Sequence, residues 1–313
     1  MKGQIYMTNI SNPITASSQK QSYQKKTLQE LNLMDAFLFD VSTERPEDAQ
    51  VIARAIVRRV MGHELQEITV ESQKQLRGID LRKRGIRMDL WVREKTGGEK
   101  PVVRLYDIEP NIYKDHLPKR SRFCQAKADA KELSTGAKFQ NLPDLVMIWI
   151  LPYDPFGDDR MIYTVKNMVV ENNELVYNDG VVKLFLYTKG KFGGTEELKS
   201  LLTYFEETTQ ENAVDAELEE IQRIVGNIKR SHEKEDRYMT LQEMIDHEKD
   251  DSYNAGVQQG IQQGIQQGII RTCQNLNQTK ETTIESLMRE CEITQEEAKE
   301  YIRLYWQEEN VTG

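Results

Sequence analysis

Asp89, Asp107 and Glu109 are the residues whose types and spacing best suit chemistry. Around Asp89, the apolar Ile86, Met88, Leu90 and Val92 alternate with Arg87, Asp89, Trp91 and Arg93, the period of a strand with one apolar face. Val102 to Glu109 is again β-rich, and Asp107 and Glu109 stand two residues apart, so they share a face. Lys95-Thr96-Gly97-Gly98-Glu99-Lys100 between them is a turn by composition. A turn centred near Gly98 sets Asp89 opposite Asp107, with Glu109 as its diagonal neighbour at about 7–8 Å between Cα atoms, within reach of one shared ion. Two hard carboxylate ligands completed by waters suit Mg²⁺ or Mn²⁺. Such an ion acidifies a water and neutralises charge on a phosphate. The same residues also read as solvated strand acids paired with Arg87 or Arg104.

Other chemistries find little support. The four histidines (His63, His116, His232, His247) show no metal-ligand spacing, and no phosphate-cradling glycine loop is present. The three cysteines, Cys124, Cys273 and Cys291, are far apart without a CxxC pair, which excludes a disulfide framework. Trp91 and Tyr106 read as packing or rim residues rather than base-stacking platforms.

The elements that must position the acids can be traced along 313 residues. Residues 1–26 are polar and aperiodic, as expected of a flexible leader. A core is expected over 27–205. Leu28 to Met61 has helical spacing, with Pro46 near a helix start and Gly62 as its stop. Leu117 to Leu133 reads as a helix with a basic first half. The run Leu145–Leu151 ends at Pro152 and suits a strand buried on both sides. Further strands are expected at Met161–Val165, Leu175–Tyr177 and Val181–Tyr187, with Asn178-Asp179-Gly180 as a hairpin turn. A helical extension follows over 206–253.

Residues 254–270 repeat Gly-Ile-Gln-Gln. A period of four drifts only about 40° per repeat on a helix, so Val257, Ile261, Ile265 and Ile269 form one apolar seam. Four glycines cost such a helix roughly 1 kcal/mol each. The segment therefore reads either as an oligomerisation helix, with a homodimer as partner, or as a linker to a small helical pair over 271–313, joined near Glu292–Thr294.

Charge divides the chain. Gln73 to Lys131 carries 16 Lys/Arg against 8 Asp/Glu, whereas Phe205 to Gly313 carries 11 against 24. The basic stretch suits a polyanion partner or a solvated surface. DNA binding is expected in residues up to about 205 and should weaken steeply with salt. No run of about 18 apolar residues suggests a membrane span, and no signal-like apolar start is present. A cytoplasmic protein is expected.

The strand Gly85-Ile86-Arg87-Met88-Asp89-Leu90 and the strand Tyr106-Asp107-Ile108-Glu109 resemble the core of the PD-(D/E)XK nuclease superfamily. More narrowly, they are similar to the bacterial Rpn family of recombination-promoting nucleases, also described as transposases. That family carries G-I/V-R-x-D-V/L, then Y-N/D-I/V-E-x-Q. Arg120-Ser121-Arg122-Phe123-Cys124-Gln125 resembles its R-x-R-Y-Y-Q helix. Gly136 and Phe139 suit the glycine and aromatic that follow. Ile148 to Gly157 fits its I-F/W-I-x-P-F/Y-D-P-F-G, Leu31 to Phe39 resembles its opening, and Tyr238-Met239-Thr240 recurs there. The likeness covers roughly Leu31 to Gly268.

This resemblance implies an α/β fold, a mixed sheet flanked by helices, with an α-helical C-terminal tail. It implies a Mg²⁺- or Mn²⁺-dependent endonuclease acting on double-stranded DNA in recombination or transposition, in a bacterial cytoplasm and at the nucleoid when bound. Asp89, Glu109 and the backbone carbonyl of Pro110 become the metal ligands. Asp89, Glu109 and Asn111 become the catalytic set, and Arg87, Lys119, Arg120, Arg122 and Gln125 the DNA contacts. Glu47 of the early helix is a further acid that can approach the metal. The departure is Asn111, where the family has Gln and the superfamily Lys. Asparagine is shorter and uncharged, so restoring Gln or Lys is expected to raise activity, and Lys114 or Lys127 are candidate substitutes for the missing cation. The alternative is a degraded site that binds DNA or a partner without cutting.

Overall fold

The structure is a computed structural model that describes residues 25–76, 86–97, 102–114, 116–172, 174–175 and 177–306. Residues 1–24 of the expected leader, 98–100 of the expected turn, and 77–85 of the basic stretch lie outside the described residues. The chain divides into two compact units, 1–234 and 235–313.

The first unit is a mixed α/β structure built on one six-stranded sheet. Its strands are β1 (Glu67–Leu76), β2 (Ile86–Lys95), β3 (Val103–Pro110), β4 (Asp144–Leu151), β5 (Ile162–Val165) and β6 (Val181–Tyr187). The spatial order is β1-β2-β3-β4-β6-β5. β1, β2 and β3 are antiparallel neighbours, β3, β4 and β6 run parallel, and β5 closes the far edge antiparallel to β6. β4 is central and buried along nearly its whole length, as a continuous apolar run flanked by parallel neighbours requires.

Sequence spacing left out β1, whose Glu67-Ile68-Thr69-Val70-Glu71 segment alternates but is rich in polar residues. It is an edge strand, and edges favour such side chains. Leu175 and Tyr177 are not in a strand, so the expected hairpin through Asn178-Asp179-Gly180 does not form. β6 takes β5 as its antiparallel partner instead. Gly180, at φ +78°, lets the chain pass beside β4, where a Cβ would lie 2.5 Å from Asp144 Oδ1.

Helices α1 (Ala36–Ser42) and α2 (Pro46–Met61) replace the single helical stretch suggested by spacing from Leu28. Two local causes interrupt it. Asp35 accepts from the Asn32 N–H at 2.8 Å, and Arg45 precedes a proline and is held extended at φ −88°, ψ 128°. Gly62, in the left-handed conformation, ends α2 as expected. α3 (Leu117–Glu132) matches its expected span closely. α4 (Glu196–Glu206) and α5 (Ala216–Lys229) pack against α2 within this unit.

The second unit holds most of α6 (His232–Asn275), then α7 (Lys280–Cys291) and α8 (Gln295–Tyr305). Ile270, Leu287, Ala298 and Ile302 form its core, with Ile269 and Ile284 packed alongside. The Gly-Ile-Gln-Gln repeat is helical within α6. Of its apolar seam only Ile269 reaches this core; Val257, Ile261 and Ile265 are exposed. No helix among the described residues is long and apolar enough to cross a membrane.

Candidate functional site

The register of β2 on β3 corrects the expected pairing. Leu90 pairs with Ile108 and Trp91 with Asp107, and the same ladder carried one residue further sets Asp89 opposite Glu109. Asp107 is therefore the diagonal neighbour of Asp89, the reverse of the sequence expectation. The observed ladder is displaced by two positions from the pairing that a turn centred near Gly98 would give. A two-residue slide keeps every side chain on its face, so the three acids still share one.

That face is not a solvated one. Trp91, Leu105, Met147 and Trp149 of the sheet meet Leu117, Cys124 and Ala128 of α3 in one core cluster. Asp107 and Glu109 are caught beneath α3 at 1% and 2% exposure. The reading of β2 as a strand with a single apolar face, and of solvated acids upon it, is corrected accordingly: α3 covers the second face. Trp91 and Tyr106 are buried packing residues, and the Tyr106 hydroxyl donates to Glu94 Oε2 at 2.8 Å.

Burial shapes the electrostatics. Neither carboxylate oxygen of Asp107 has a hydrogen-bond partner, nor does Glu109 Oε1. Burial, then the charge of Asp89, pushes Asp107 up to about 8 against the pull of Arg120. Burial, then Asp107 and Asp89, holds Glu109 well above the usual carboxylate range. Asp89 is raised by its own burial, with Arg87 and Arg120 opposing. Cys124 is pushed up to about 12 by burial and then by Glu109 and Asp107.

Arg120 is the positive group in contact with Glu109 and Asn111. From the first turns of α3 its Nη2 donates to Glu109 Oε2 at 3.4 Å and its Nη1 to Asn111 Oδ1 at 3.2 Å. Its guanidinium lies 5.2 Å from the centre of the Trp149 ring. Asn111 is buried at 3%; its amide oxygen also accepts from the Tyr113 N–H, and its amide nitrogen donates to the Tyr113 carbonyl, both at 3.2 Å. The side chain expected to orient a water is thus holding a turn and an arginine. Pro110 is the last residue of β3, a terminus where its missing N–H is tolerated.

The remaining expected residues scatter. Arg87 lies 3.4 Å from Asp40 and 3.9 Å from Asp89. Lys119 and Arg122 are exposed on α3, and Gln125 donates to Asp129 at 3.5 Å. Lys114 and Lys127 stack over Tyr153 and Phe123. Glu47 is exposed and paired with Arg45; the acid that the first helices bring toward the site is Asp40 of α1. Sequence reading missed Asp40, and no spacing could have shown it, because the bridge through Arg87 is tertiary.

No group of three His, Cys, Asp or Glu residues among the described residues is disposed to hold a metal ion. In chemistry the acids nonetheless suit a hard cation, since they are carboxylates and both oxygens of Asp107 and Oε1 of Glu109 lack protein donors. No family model matches the chain, and neither does any curated protein or solved structure.

Proposed function

We propose that this chain is a divalent-cation-dependent endonuclease that hydrolyses phosphodiester bonds of double-stranded DNA, on a PD-(D/E)XK-like core. The observation that carries the reading is the trio Asp89, Asp107 and Glu109 on one sheet face, with three carboxylate oxygens left unpartnered in a water-poor setting. The resemblance of both strands, of the α3 motif and of the segment ending in Asp154-Pro155-Phe156-Gly157 to recombination-promoting nucleases supports the same chemistry. Asp89, Glu109 and the Pro110 carbonyl would hold Mg²⁺ or Mn²⁺. Such an ion, when bound, supplies Lewis acidity and neutralises phosphate charge. Arg120, freed from Glu109, can grip a phosphate oxygen through its planar fork, while Asn111 and Trp149 limit its swing. Lys119 and Arg122, exposed on the same helix, present charge to the duplex backbone.

A second reading, binding without cleavage, draws on one observation. Arg120 already donates to Glu109, and the Asn111 amide is engaged by the turn. Nicking of supercoiled plasmid with Mg²⁺ or Mn²⁺ separates the two. Wild type should nick and Asp89→Ala should lose about 10²–10³-fold, the scale for removing one preorganised charge-stabilising group. Equal nicking by both proteins would sink the nuclease reading. DNA binding with no nicking by either would leave the second.

The proposal extends to self-association through residues 254–270. Val257, Ile261 and Ile265 are exposed, and a Cβ added at Gly256, Gly260, Gly264 or Gly268 would meet nothing within 4 Å. A glycine-rich helix gains from a partner that covers such a face. Deleting 254–270 should halve the mass seen by light scattering; an unchanged mass would leave only a spacer.

A further inference from the structure

We infer that Asp107 is itself a ligand of the cation, so that the site offers the ion three carboxylates. The inference rests on the cation-site reading above and adds a residue to it. Asp107 is buried at 1%, and both its oxygens lack a hydrogen-bond partner. Buried polar groups in folded proteins are nearly always partnered, and this sheet partners another acid buried as deeply. Glu94, also at 1% exposure, accepts from the Gln66 N–H at 3.0 Å and from the Tyr106 hydroxyl at 2.8 Å. The fold can satisfy a buried acid, and at Asp107 it places no donor.

What surrounds Asp107 narrows the missing partner to a cation. Glu109 follows two residues later on the same face, and Asp89 lies diagonally across the ladder. The nearby positive group, Arg120, donates to Glu109 and Asn111. Once all three carboxylates are ionised, as ligands of an ion would be, they set three negative charges against one guanidinium, and one divalent ion cancels the difference. The Arg87–Asp40 pair beside Asp89 adds one charge of each sign and does not alter that sum. Without the ion no three acids are disposed around a point, and Glu109 Oε2 is bonded to Arg120. Ion binding therefore requires Glu109 to exchange its guanidinium contact for the metal, with Asp107 already lodged at the inner wall.

The test is calorimetric titration of the full chain with Mn²⁺. Wild type should bind, and Asp107→Asn should bind at least tenfold more weakly while its ion-free melting temperature does not fall below that of wild type. Asp107→Cys adds a readout that a structural role would not move. A thiolate in contact with the ion should give a cadmium–thiolate ultraviolet band above any wild-type signal, and this variant decides the matter if Asp107→Asn fails to fold. Asp107→Asn binding Mn²⁺ as tightly as wild type, with Asp89→Ala not binding, would overturn the role of Asp107 and leave the site standing. Absence of the cadmium band would do the same. Wild type that binds no Mn²⁺ would overturn both.

Discussion

Arg59 and Asp107 are both buried ionisable residues of the first unit, and their surroundings differ in kind. Arg59 of α2 has a fully buried side chain that meets both oxygens of Asp215 at 2.8 Å and the Ala55 carbonyl at 3.1 Å. Asp215 caps α5, accepting from the Leu218 N–H at 3.0 Å; burial opposes its ionisation, but Arg59 and Leu218 hold it below the usual range. One arginine thus fixes a helix start against its neighbour. Asp107 has no such partner. The first arrangement pairs its charge within the fold and leaves only Nε without a partner, whereas in the second neither oxygen meets a donor, the gap that the proposed ion would fill. A buried charge becomes informative when the protein declines to pair it.

Removing charge from each region should therefore act in opposite directions. The largest effect is expected for Arg59→Met, which keeps the stem but takes the guanidinium from Asp215 and from Glu217, its second carboxylate partner, which keeps Arg58. About 2–3 kcal/mol should be lost in denaturant unfolding, less than the roughly 3–5 kcal/mol of a fully buried broken pair because both acids reach water. A loss below about 0.5 kcal/mol would mean that the pair is ornamental.

Asp107→Asn should move the other way and depend on pH. Asp107 stands at about 8 in the folded chain, above its ordinary 3.8, so the folded state holds a proton that the unfolded state releases. Its contribution to stability is intact below about pH 4 and is lost progressively as pH rises toward about 8. The ion-free variant should therefore match wild type near pH 4 and exceed it by on the order of 2 kcal/mol above pH 8, the scale of an uncompensated buried polar group. Parallel stability curves across that window would contradict the assigned burial.

The smallest effect sharpens the comparison inside the site. Sequence alone expects Asn111→Gln to raise cleavage. The bonds of Asn111 to Tyr113 and Arg120 change that expectation to a loss of about 1 kcal/mol in stability with no gain in plasmid nicking. A clear gain would show that amide reach, rather than the turn, limits the reaction.

Much of the scaffold was legible because its signals are local. The alternation of Met88, Leu90 and Val92, the continuous Leu145–Leu151 run, Pro46 before α2 and Gly62 after it each act within a few residues. β1 escaped notice because an edge strand carries polar side chains on a pattern that also suits a loop. The strand expected at Leu175–Tyr177 failed because β6 found its antiparallel partner in β5, a choice made across the sheet.

The sequence by itself determined that Asp89, Asp107 and Glu109 share a face, since a period of two survives any even slide of register. It also placed Arg120 and Asn111 close in the chain to Glu109. Only the tertiary structure decided that Asp89 faces Glu109, that α3 seals Asp107 and Glu109 from water, and that Arg120 is the arginine beside them. Periodicity states which side chains point together. It cannot state what covers them, and desolvation, which turns three strand acids into a candidate ion site, is a property of the cover.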